Sequence, residues 1–256
     1  MKGPIRDVDA QRTRWITYRR EQGLVDAIGG SFAQSGLGGF VEDLNVRFLF
    51  LPADPGADAM PLNAEILGWL REERPSPYGG GQMEWGHRTR ATSSALVIYD
   101  QYRDDRGWDS YLAVHRHGGV EFGSGRSIYH VGDKRVFALR QIVGLAWSAL
   151  AIQAEAIERS TLEPPFELTV ALRDTKDATL GSFAEGWKEP GHGMYDMVTC
   201  IEDHVLLRWE LDQQPVVEDI ALEVGDRIEQ AFGTSHRRHL AHRGQYEGQF
   251  DPRFGF

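Results

Sequence analysis

One stretch constrains the fold more than any other: Asp133 to Ser160, DKRVFALRQIVGLAWSALAIQAEAIERS. Between Arg140 and Glu155 it carries no charge and is dense in Ala, Leu, Ile and Val. A helix apolar around most of its circumference needs cover on more than one side. The uncharged run falls short of a membrane span, which requires about 20 apolar residues. The spacing therefore predicts a buried central helix, started by Gly132 or Asp133 and surfacing at Glu155, Glu158 and Arg159.

The sequence on either side alternates strand patterns with turn signals. NVRFLFLPAD (Asn45–Asp54) predicts a strand stopped by Pro52, and LNAEILGWLREE (Leu62–Glu73) a short amphipathic helix. Further strands are expected around residues 91–102, 108–116 and 120–123, with Gly118–Gly119 as a hairpin loop. In the second half, Pro165–Asp174 predicts a strand and 178–187 a short helix or turn. Residues 194–201 and 204–211 suggest a hairpin through Glu202–Asp203. Pro215–Gly233 has Pro in its first turn, Gly at its end and apolar residues at helical spacing. The pattern predicts an α+β fold, with antiparallel sheet layers packed on long central helices. Residues 8–35 are expected to add an N-terminal helix.

The strongest break is ERPSPYGGGQ, Glu73–Gln82, rich in Pro and Gly. It divides the chain into an N-terminal helical and strand segment (1–74), an α+β domain (83–233) and a basic C-terminal tail (234–256). Charge is uneven. Lys2, Arg6, Arg12, Arg14, Arg19 and Arg20 face only Asp7 and Asp9 in the first twenty residues, while the whole chain carries −10. The acidic body opposes wrapping of duplex DNA, leaving the basic termini as the place for nucleic-acid contact. Solvated, flexible termini are the ordinary reading.

The lone Cys200 excludes an internal disulfide and a thiolate metal cluster, in keeping with a reducing cytoplasm. Its MVTCI setting predicts a buried, inert thiol. There is no GxSxG elbow and no P-loop, and no cofactor motif is present. The one constellation with chemical promise is His115–Arg116–His117. Alternate strand residues share a face, so His115 and His117 point the same way, with Glu121 across the glycine turn as a third group. Such a set suits a metal ion or acid–base work. The bland alternative is an exposed polar face beside a hairpin. Trp187, between Gly186 and Lys188, is expected to be partly solvent-facing.

PIRDVDAQRTRWITYRREQ (Pro4–Gln22) and HRHGGVEFG (His115–Gly123) resemble the region that follows the Schlafen-type AlbA domain in bacterial proteins. The AlbA core has no counterpart here, so no functional residue carries over. The resemblance implies an accessory or sensing domain of a larger bacterial system. The sequence thus leads to a non-enzymatic, cytoplasmic sensing or protein-interaction domain, binding a protein partner or small ligand through His115, Arg116, His117, Glu121 and Trp187. A metal-dependent hydrolase or nuclease built on the His-x-His pair and a nucleic-acid-binding accessory domain are the alternatives. The apolar helix also leaves a homodimer seam open.

Overall fold

A computed structural model describes residues 44–52, 58–73, 88–91, 95–101, 108–125, 127–181, 198–214, 216–235, 237 and 240. The described chain is an α+β fold. Its strands are β1 (Val46–Leu51), β2 (Arg88–Ala91), β3 (Ala95–Gln101), β4 (Trp108–His115), β5 (Val120–Ser124), β6 (Ile128–Val131), β7 (Lys134–Ala138), β8 (Phe166–Arg173), β9 (Thr179–Gly181) and β10 (His204–Leu211). Its helices are α1 (Ala64–Gly68), prolonged by a π turn over Trp69–Glu73, then α2 (Leu139–Glu158) and α3 (Val217–Ala231).

Seven strands form one sheet in the order β10-β8-β1-β5-β4-β3-β2. Every neighbouring pair in it is antiparallel. β1 comes first among the described strands yet lies in the middle, with Phe48 opposite Phe122 of β5 and Val170 of β8. The described end of the 1–74 segment is thus an interior strand of the sheet that residues 83–233 complete, and no seam divides the two there.

Alternation along the strands gives the sheet two unlike faces. One carries Val46, Phe48, Phe50, Leu112, Val114, Phe122, Leu168, Val170 and Leu172, all buried in one core cluster with α2 and α3. Fully burying a side chain of this size contributes roughly 1.5–3 kcal/mol. α2 is enclosed within the single chain: Ile142, Val143, Ala146, Ala149, Leu150 and Ile152 are at most 1% exposed. The buried Ser148 is tolerated there because its Oγ donates to the Gly144 carbonyl one turn back, at 3.0 Å. A clasp marks the end of α2, where Trp69 Nε1 donates to Glu155 Oε2 at 2.7 Å and the Arg159 guanidinium lies 4.8 Å over the Trp69 ring.

Several expectations are corrected. α2 starts at Leu139, not at Asp133, because Lys134–Ala138 is strand β7. Val131 and Lys134 are partners across a two-residue Gly-Asp loop in which Gly132 has φ +59°, so the residues that read as a helix start are a hairpin turn. Thr179–Gly181 is strand rather than helix, and it pairs in parallel with β7 in a three-stranded second sheet. β10 makes its ladder with β8, and the described part of the expected partner segment, 198–201, is not strand; 194–197 lie outside the described residues. Cys200 bonds instead to Ala178, its N–H donating to that carbonyl at 2.8 Å. Arg88–Ala91 and Ala95–Gln101 are two antiparallel strands where one was expected. The start of the basic tail is docked, with Leu240 in the core and its carbonyl accepting from Arg140 Nη2 at 2.8 Å. Arg237 bonds Asp226 at 2.8 and 3.1 Å; that hydrogen bond, and then the Asp226 charge, raise its guanidinium above the usual range. The expected 8–35 helix lies outside the described residues.

Candidate functional site

The second face of the large sheet is mixed, with Leu49, Ala95, Val97 and Ala113 buried beside polar groups. It carries Arg47, Tyr111, His115, Glu121, Glu167 and Thr169, each 6% exposed or less. Burying so many polar groups is costly unless they bond to one another or to neighbours. Thr169 Oγ1 donates to Glu167 Oε1 at 3.2 Å, along one strand. The densest knot lies at the β4–β5 hairpin. Tyr111, on β4, donates its hydroxyl to Glu121 Oε1 at 2.6 Å, and the other carboxylate oxygen of Glu121 lies 3.4 Å from His115 Nε2.

Local sequence explains how these groups come together. Tyr111 is the register partner of Gly123. A Cβ at Gly123 would collide with the Tyr111 ring and lie 2.7 Å from Leu44 Cδ1, so the glycine lets the ring cross the strand to reach Glu121. At the tip, His115 and Gly119 close the turn through a 2.9 Å N–H···O bond, and Gly118 takes φ +83°. Gly119 leaves room for the His117 ring: a Cβ there would sit 2.6 Å from His117 Cε1 and 2.8 Å from the Phe50 carbonyl oxygen. The Gly119 N–H donates to His117 Nδ1 at 3.1 Å. That bond makes Nδ1 the acceptor and puts the proton of the neutral ring on Nε2.

The structure brings His115, His117 and Glu121 together, as the spacing suggested, but by a different route. His117 is in the turn, not on the strand, and its ring stacks on His115 with centroids 4.9 Å apart and planes 7° from parallel. Exposure is where the expectation fails. His115, His117 and Glu121 are 0%, 2% and 1% exposed, so the hairpin tip is not a solvated polar face. It is covered by the segment before α1, whose Ala59 and Met60 N–H groups both donate to the Arg116 carbonyl, at 3.0 and 2.7 Å. Gln153 of α2 donates to the Gly118 carbonyl at 3.4 Å, and Leu162 packs over Gly118. Among the described members of the expected set, Arg116 alone reaches solvent, its side chain 39% exposed and 3.9 Å from Asp58. Trp187 lies outside the described residues.

The stacking also limits what the pair can ligate. A metal bound by imidazole lies in the ring plane, about 2.0–2.1 Å from nitrogen. Planes that are nearly parallel and stacked share no such point, so joint ligation requires one ring to turn. Among the described residues, no group of three or more His, Cys, Asp or Glu is disposed to hold a metal ion. Tyr111, Arg47, Glu167 and Thr169 were missed by sequence reasoning. Their signal was present: they occupy the strand positions that alternate with the apolar set.

Cys200 is buried, as its setting predicted, with Sγ 3.7 Å from the Glu202 carbonyl and 3.8 Å from that of Ala231. Among the described residues, no helix is long and apolar enough to cross a membrane.

The architecture defines the class, an α+β domain whose large sheet has one apolar face and one that mixes apolar and buried polar groups. Scanned against protein-family models, curated proteins and solved structures, the chain matches none.

Proposed function

We propose that this chain is a non-enzymatic sensing or protein-interaction domain of a bacterial, cytoplasmic system, with the β4–β5 hairpin end as its working part. The observation that carries this reading is the enclosure of its best chemical groups. A catalytic acid or base must come within hydrogen-bond reach of substrate, directly or through one water. His115 and His117 are instead closed into a stack that braces a turn. Arg116 is then the contact group, held at the tip by a backbone that three neighbouring segments fasten. A protein partner or small ligand meets it there, and Trp187 is the further contact expected from sequence. The likeness of Pro4–Gln22 and His115–Gly123 to the region after Schlafen-type AlbA domains favours an accessory role within a larger system.

The alternative is a metal-dependent hydrolase or nuclease using His115, His117 and Glu121. What favours it is their proximity, with His115 Nε2 3.4 Å from Glu121. Nucleic-acid binding through the basic termini remains a separate proposal, marked by affinity that falls steeply with salt. A homodimer through α2 is less favoured, since that helix is enclosed by its own chain.

Elemental analysis of protein purified without a His-tag separates the first two. The binding reading predicts no stoichiometric metal and, for Arg116→Ala, weaker partner capture at unchanged melting temperature. Stoichiometric zinc or manganese, lost in the His115→Ala/His117→Ala double variant, would replace that reading with the hydrolase.

A further inference from the structure

We propose that the His115–Gly119 turn is a proton-operated latch, closed while His117 is neutral and opened when its imidazole takes up a second proton. The inference deepens the sensing reading and rests on it for its purpose, naming the proton as the signal. Its physical basis is the acceptor role of His117 Nδ1. That atom takes the Gly119 N–H at 3.1 Å inside a site where the ring is 2% exposed. An imidazolium has a donor on both nitrogens. Protonating His117 therefore sets N–H against N–H at a ring that already lies close against Gly119.

The groups around His117 are few and fixed. His115 on β4 stacks 4.9 Å away and has Glu121 of β5 at 3.4 Å, with Tyr111 of β4 bonding the other oxygen of that carboxylate. A proton on His117 adds a charge in a medium that screens poorly, against a donor instead of an acceptor. Within the turn itself Arg116 pairs with Asp58 toward solvent, while β1 offers the Phe50 carbonyl and α2 the uncharged Gln153.

Opening has a defined readout, because the turn is an anchorage. The Arg116 carbonyl holds Ala59 and Met60, the Gly118 carbonyl holds Gln153, and the Ala59 carbonyl holds the Thr161 N–H at 3.2 Å. Loss of the turn releases Asp58–Met60 and the connector behind α2 together. Because the folded turn excludes a proton that the opened chain binds, its stability falls with falling pH through the imidazole range, between about pH 8 and 5.

Hydrogen exchange of the full chain tests this, with rates corrected for the intrinsic effect of pH. Between about pH 7.5 and 5.5, peptides covering 58–61 and 115–120 should lose protection together, by about tenfold relative to β8. In His117→Asn, the amide oxygen accepts the same N–H two residues on, as Asx turns do, but takes no proton, so the loss should vanish. Unchanged protection in the wild type, or an equal loss in His117→Asn, would overturn the latch. Nitrogen NMR of wild-type histidines gives a reading that needs no variant: His117 should become doubly protonated only as Gly119 protection disappears. A doubly protonated His117 under a still-protected Gly119 amide would refute it. Failure of the Arg116→Ala binding result would sink only the interaction reading and leave these outcomes standing.

Discussion

The two faces of the seven-stranded sheet put the same backbone to opposite uses. Phe48 and Phe122 meet on the helix-covered face with ring centroids 5.9 Å apart, held by area and shape alone. One residue away in sequence, Arg47 and Glu121 point to the other face and are buried as deeply. Apolar burial tolerates approximate fits, since any close-packed hydrophobic neighbour will do. Buried polar groups tolerate only a specific geometry, since each must find a partner of the right sense. The first face supplies stability, whereas the second fixes one arrangement of the β4–β5 hairpin.

Substitutions on each face sharpen that contrast. Phe122→Ala should have the largest effect, roughly 3–5 kcal/mol of unfolding free energy by denaturant titration, with the hairpin exchange pattern kept in the folded fraction. Gly123→Ala, which drives a methyl into the Tyr111 ring, should cost about 1–3 kcal/mol. It should also displace Tyr111 from Glu121, visible as a changed tyrosine absorbance. Tyr111→Phe removes only the hydroxyl that donates to Glu121 and should cost about 1–2 kcal/mol. If it costs nothing, the polar face does not specify the hairpin. Arg116→Ala, which breaks an exposed 3.9 Å pair with Asp58, should shift stability by no more than about 0.5 kcal/mol.

What the sequence made legible follows from the reach of its signals. The charge-free run from Gln141 to Ala154 demanded a helix covered on several sides, and α2 packs on β1 and β5 of the large sheet, on β7 and on α3. Strand-like composition between turn residues marked β1, β4, β5, β8 and β10, and apolar residues at helical spacing marked α3, which runs Val217–Ala231; Pro215 lies outside the described residues. The approach of His115 to Glu121 was readable because a hairpin is local. Strand order was not, since β1 is placed between β5 and β8 by pairings far along the chain, and no periodicity encodes a partner. The Gly132–Asp133 pair misled because glycine and aspartate serve both hairpin loops and helix starts. Burial of the tip was hidden for the same long-range reason: Ala59 and Met60 cover it from more than fifty residues away.

The central claim is that His115 and His117 are enclosed structural groups and not a reactive centre. Acylation by diethyl pyrocarbonate under native conditions at neutral pH, read site by site by mass spectrometry, tests it directly. His130 and His204, both exposed, serve as internal references. The account predicts that these two are modified while His115 and His117 stay protected until the protein is unfolded. Modification of His115 or His117 as fast as His130 would contradict it.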